Sequence, residues 1–154
     1  TSCLTVMFGE FYGSNIGGGA KNYSRDGSVG FRVLDIRVMT LEEFAEGMEM
    51  LPEKIAGMRK RDKLPGRWLQ DHERLEFCRT FNLEEVPLLL GASPVPTSIE
   101  DSYMWMKEVA GSKTRAALGN NNPGRPEGVV VRLPDRSAIA KLRFQEYERT
   151  LGIR

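Results

Sequence analysis

Histidine and cysteine are nearly absent from this 154-residue chain. His72 is the only histidine, which removes most zinc chemistries and argues against a Ser-His nucleophile. Cys3 and Cys78, the two cysteines, have neither CxxC nor CxxxH spacing, so neither a zinc site nor a disulfide framework is expected. No apolar run is long enough to cross a bilayer and nothing reads as a signal peptide, so no membrane association is expected. The reducing cytoplasm is the expected compartment. A net charge of +1 carries no global nucleic-acid signature, so any such binding must come from a local patch. No initiator methionine is present, and the chain enters almost at once into CLTVMF, which reads as strand. A start inside a strand predicts an excised or processed piece, because domain boundaries usually fall in polar linkers.

What is present is enough chain for one domain with a real core. Residues 127–143 read EGVVVRLPDRSAIAKLR, two β-runs separated by a Pro-Asp turn, and predict adjacent antiparallel strands. Alternation puts Lys141 and Arg143 on one face, about 6–7 Å apart, with Ala140, Leu142 and Phe144 on the other. Such a pair of cations suits an anionic ligand; ordinary solvent charges on a half-buried hairpin are the competing reading. Residues 3–12 form a strand in which Glu10 continues the parity of Leu4, Val6 and Phe8. A second strand covers residues 31–39, with Phe31, Val33 and Asp35 predicted on one face and Leu34, Ile36 and Val38 on the other. Between them, residues 13–30 are glycine-rich; Gly17-Gly18-Gly19 lacks both phosphate-loop contexts and reads as a hinge or mobile loop.

Thr40 with Glu43 is a capping-box signal for a helix to about Met50, and a second helix is expected from Pro52. Residues 67–81 predict the best helix, with Trp68, Leu75 and Cys78 along one stripe and His72 at the surface. Five basic residues, Arg59, Lys60, Arg61, Lys63 and Arg67, either contact a phosphate backbone or form a solvated face. Residues 85–91 predict a short buried strand, and Ser98 caps a helix whose contact stripe holds Met104, Trp105 and Val109. The mixed order of strands and helices favours α+β over a doubly wound sheet.

FGEFYG around Glu10, FRVLDIRV from Phe31, EGVVVR from Glu127 and KLR from Lys141 occur in that order. Together they resemble motifs III, IIIa, IV and V of the covalent nucleotidyltransferase superfamily, and within it the ATP-dependent RNA ligases. The resemblance implies an α+β nucleotidyltransferase (ATP-grasp-like) domain of antiparallel sheets flanked by helices. Residues 1–154 would be a partial adenylyltransferase domain with an inserted helical region at about 41–81. Glu10 would bond the ribose and Phe31 would stack on adenine, since an aromatic face takes a purine without reading its edge. Glu127 would serve near the ribose and α-phosphate, through a metal or water or by orienting the lysines. Lys141 and Arg143 would hold the α-phosphate. Asp35 would either touch the metal or make a structural hydrogen bond. The family commonly has a second lysine where Arg143 stands, and arginine brings a planar fork in place of a point charge.

The departure from the family pattern is the upstream KxDG, whose lysine attacks ATP. Here Asp26-Gly27 follows Ser24-Arg25 and lies after Glu10, so the sequence contains no KxDG. The resemblance therefore implies that a missing N-terminal segment or a second chain carries it, or that the chain is a degenerate, non-catalytic homologue. It further implies ATP and Mg²⁺ as cofactors, RNA with 5′-phosphate and 3′-hydroxyl ends as partner, and a role in RNA repair. A DNA ligase, a capping guanylyltransferase, a nucleotide- or RNA-binding module without chemistry and a structural domain are the alternatives. The short interval from Glu127 to Lys141 and the continuation Gln145-Glu146-Tyr147 lean toward RNA ligase.

Overall fold

The computed structural model describes residues 2–17, 19–24, 26–60, 65–118 and 124–153, with the side chains of 59 and 60 excepted. Gly18, Arg25 and, from the basic cluster, Arg61, Lys63 and the side chains of Arg59 and Lys60 lie outside the described part.

Two long strands, β1 (Cys3–Gly13) and β2 (Val29–Thr40), pair antiparallel, and the short β3 (Arg67–Trp68) joins the far edge of β2. A separate two-stranded sheet is made by β4 (Gly128–Arg132) and β5 (Ile139–Arg143), antiparallel as expected. Helices α1 (Ala20–Tyr23), α2 (Leu41–Met48), α3 (Pro52–Lys60), α4 (Asp71–Thr80), α5 (Ile99–Ala110) and α6 (Phe144–Leu151) flank them. The class is α+β, with antiparallel sheets flanked by helices. No helix among the described residues is long and apolar enough to cross a membrane.

Local signals account for several element starts. Thr40 accepts the Glu43 amide while the Glu43 carboxylate accepts the Thr40 amide, so the capping box opens α2. Proline opens α3, and the Ser98 hydroxyl accepts the Asp101 amide at the start of α5. In the β4–β5 pair, a Cβ on Gly128 would lie 2.0 Å from the Leu142 carbonyl oxygen, so only glycine fits where Gly128 faces Arg143.

Three expectations need correction. The helix predicted over 67–81 begins at Asp71, because Arg67 and Trp68 pair with Val38 and Arg37 of β2. The Arg67 guanidinium and then the Gln70 amide bond Glu73, holding its carboxyl down to about 2 and fixing the first turn of α4. Among the described residues, the region at about 41–81 therefore holds helices α2, α3 and α4 and strand β3 of the first sheet. Residues 85–91 form no strand; Val33 bridges Glu85, then Pro87 offers no amide, and Leu88 is 73 % exposed. On α5 the buried stripe is Tyr103, Met106 and Ala110, whereas Met104 is 60 % exposed.

Two cores result. Val33 and Ile36 meet Cys78 of α4, with Phe31, Leu69, Phe77 and Leu83 around them. Tyr103, Met106 and Ala110 of α5 meet Val129 and Phe144, with Leu142 packed against them. The first core reveals a fourth correction. Phe8 pairs with Asp35 and Gly9 with Val33, so Leu34 is an extra residue and the register shifts there. One bulged residue inverts the alternation beyond it. Val33 and Ile36 consequently share the core face, and Asp35 lies on the opposite face from Phe31 and Val33.

Candidate functional site

Cross-strand pairing sorts the candidate residues by face. Glu10 pairs with Arg32 and Phe8 with Asp35, so Phe8, Glu10, Tyr12, Arg32 and Asp35 share the face of the first sheet that points away from α4. In the second sheet Gly128 pairs with Arg143, Val130 with Lys141 and Arg132 with Ile139, which puts Arg132, Lys141 and Arg143 on one face. Val129 and Leu142 occupy the other and belong to the core.

Two sets of contacts tie these two faces together. Near the β4–β5 turn, Arg132 donates to Asp35 Oδ1 at 2.6 Å and also to Asp71, while Arg136 Nε donates to Asp35 Oδ2 at 2.9 Å. The Arg136 guanidinium lies 3.8 Å from the centre of the Trp68 ring, and Arg37 lies 4.8 Å from it. At the other end Tyr23 hydrogen-bonds Glu127, and its ring meets Tyr12 edge-on at 5.3 Å. The Tyr12 hydroxyl in turn accepts Arg32 Nε at 2.7 Å. Glu127 and Glu10 both lie close enough to Tyr23 to act on its phenol, and Arg143 lines a groove with Glu127.

The electrostatics of this region follow from which charges are already taken. Arg32 is spent on Tyr12, the Glu85 carbonyl and Glu84; Arg132 is spent on Asp35 and Asp71. Lys141 and Arg143 are exposed, and among the described residues their side chains make no hydrogen bond or ion pair. Arg143 lines one groove with the exposed carboxylate of Glu127, and together they form a bipolar site. It can hold a phosphate on one side and sugar hydroxyls on the other.

Of the residues predicted for the site, Glu10 and Glu127 meet at Tyr23, Glu127 and Arg143 line one groove, and Lys141 shares the Arg143 face of the second sheet. Phe31 is not among them. It pairs with Phe11 at 4.9 Å, covers Gly9 so closely that a Cβ there would sit 2.1 Å from its ring, and packs on the Val33–Ile36–Cys78 core. Of the two roles expected for Asp35, the structure shows the structural hydrogen bond and not the metal contact, since it is 7 % exposed with a guanidinium on each oxygen. Among the described residues no group of three or more His, Cys, Asp or Glu is placed to hold a metal.

Sequence reasoning missed Tyr23, Arg132 and Arg136. Arg132 was visible only as the end of an apolar run, and Tyr23 had no signal at all. Gly19 explains part of its triple glycine, because a Cβ there would lie 2.6 Å from Glu127 Oε1. Burial raises the Tyr23 phenol to about 12, with Glu127 and then Glu10 adding to the effect. The neutral phenol is favoured in the fold, so its stabilisation is complete below pH 10.0 and lost as pH rises through about 12. The alkaline difference spectrum between wild type and Tyr23→Phe should show a phenolate appearing near pH 12. A midpoint near the ordinary 10.0 would mean that Tyr23 is neither buried nor beside the carboxylates.

Compared with known proteins, residues 4–144 match the family model described as RNA ligase. No curated protein and no solved structure matches the chain.

Proposed function

Because the chain belongs to the RNA ligase family, we propose that it supplies the ribose- and phosphate-holding half of an ATP-dependent reaction joining RNA 5′-phosphate and 3′-hydroxyl ends. The observation that carries this reading is the pair of uncommitted cations, Lys141 and Arg143, on one face of the β4–β5 sheet, with Arg143 lining a groove beside Glu127.

The chemistry runs in three displacements at phosphorus. A lysine amine attacks the α-phosphorus of ATP, a P–N bond forms and pyrophosphate leaves with the electron pair of the broken P–O bond. The RNA 5′-phosphate then takes the adenylyl group from that lysine. Finally a 3′-hydroxyl attacks the activated 5′-phosphate, its proton is lost, and AMP departs. In each step negative charge grows on the oxygens of the attacked phosphorus, which is where Lys141 and Arg143 act. Glu10 accepts from the ribose hydroxyls and so fixes the nucleoside relative to those cations. Glu127 fits a divalent ion, being an exposed carboxylate with one bond from Tyr23, and Mg²⁺ held there would neutralise phosphate charge.

Lys141 cannot be both clamp and attacking group, because the amine must approach opposite the leaving pyrophosphate. No other lysine has the KxDG context, so the nucleophile is supplied from outside residues 1–154, in the same chain or a second one. Incubated with α-labelled ATP and Mg²⁺, residues 1–154 alone are expected to take up no label. A KxDG-bearing segment, added in cis or as a second chain, should restore a covalent, acid-labile adduct on that segment. Label on a lysine of residues 1–154 would overturn the assignment of the nucleophile. Binding of ATP without labelling in the completed protein would leave a nucleotide-binding module and no ligase.

A further inference from the structure

Arg143 borders a groove at the end of the second sheet. This groove of about 410 Å³ is lined by Glu127 and Arg143 together with Asn22, Arg125, Gln145 and Glu148. Its charges cancel: two guanidinium groups face two carboxylates. A polyphosphate would want an excess of cations, so the balance suits a ligand with one phosphate and a neutral body.

The neutral groups of the groove are two carboxamides, Asn22 on α1 and Gln145 at the start of α6. Among the described residues neither side chain makes a hydrogen bond. A carboxamide presents a donor and an acceptor side by side, the complement of a hydroxyl that both gives and accepts. Arg125 is held differently. Its Nη2 donates to Glu148, which also accepts the Tyr103 hydroxyl at 3.0 Å, and its guanidinium lies 4.4 Å from the centre of the Phe144 ring. Phe144 is buried beneath it while Arg125 is exposed. An arginine fixed over an aromatic ring offers its outer plane to an unstacked base.

We propose that this groove receives the 5′-terminal nucleotide of the RNA strand: phosphate on Arg143, base against Arg125, and ribose 2′-hydroxyl read by Asn22 and Gln145. The proposal rests on the ligase reading and adds to it the residues that tell RNA from DNA. The 2′-hydroxyl is the one group that distinguishes the two sugars. Its loss would strand both carboxamides facing a carbon.

The test compares, by fluorescence anisotropy on residues 1–154, a short 5′-phosphorylated single-stranded RNA with the same RNA carrying one 2′-deoxy sugar at its 5′ nucleotide. Wild type should bind the deoxy strand about five- to tenfold more weakly, the worth of one or two hydrogen bonds. In Gln145→Ala, and separately in Asn22→Ala, that penalty should shrink while affinity for the deoxy strand stays the same. Gln145 is exposed, so its variant is expected to fold even if removing Asn22 disturbs α1. Equal affinity of wild type for the two strands, or an undiminished penalty in Gln145→Ala, overturns the proposal. Calorimetry with ATP separates the two levels. Retained ATP binding without 2′-hydroxyl discrimination sinks the groove alone, whereas no ATP binding by the protein completed with its KxDG segment sinks the ligase reading with it.

Discussion

Lys141→Ala or Arg143→Ala, made in the protein completed with its KxDG segment, is expected to lower adenylylation about 10²–10³-fold. Each removes a donor from charge that builds at phosphorus, and one lost contact of this type costs on the order of 3–4 kcal/mol. The structure adds a control. Neither side chain has a partner among the described residues and both are exposed, so their loss leaves nothing buried and unpaired. The thermal midpoint should therefore stay at the wild-type value while the rate collapses. Arg143→Lys distinguishes charge from geometry: it should recover most of the rate if a point charge suffices, and little if the fork is needed. Near wild-type rates in both alanine variants would end the phosphate-clamp assignment.

Asp35→Ala should do the reverse, costing stability before chemistry. The carboxylate is buried and receives Arg132 on one oxygen and Arg136 on the other, so its removal leaves two half-buried cations that lose a partner. Breaking a buried pair from one side costs about 3–5 kcal/mol. The lower end is expected here, because Arg132 retains Asp71 and both guanidinium groups are partly exposed. Urea denaturation should show the loss as a lower midpoint at unchanged slope. A loss below about 1 kcal/mol, the level of a surface pair, would mean that Asp35 does not hold the hairpin to the first sheet.

The parts of this fold that were legible in the sequence are those set by neighbours along the chain. Thr40 with Glu43, Pro52 and Ser98 mark helix starts through local hydrogen bonds, and Lys141 and Arg143 share a face because strand alternation is local. Phe31 and Asp35 were misplaced because their faces depend on pairing with another strand. Alternation within β2 is blind to whether Glu10 meets Phe31 or Arg32, and blind to the extra residue at Leu34. Tyr23 was invisible for a related reason. Its role exists only once α1, through the loop that carries it, is brought against Glu127, more than a hundred positions away.

That distance has a kinetic consequence. The β1–β2 and β4–β5 pairs each close over a short connection, whereas the Asp35 ties to Arg132 and Arg136 span 97 and 101 residues. Chain entropy charges only about 1–2 kcal/mol more for the longer closure, yet sequence-distant contacts are the slow ones. The hairpins are therefore expected to form first, and the groups that meet only between the two sheets to come together in the final docking of one upon the other. A nucleotide bridging both sheets would meet a finished site only after the rate-limiting barrier. It should retard unfolding and leave the refolding rate untouched, a separation that stopped-flow denaturant jumps with and without AMP would show directly.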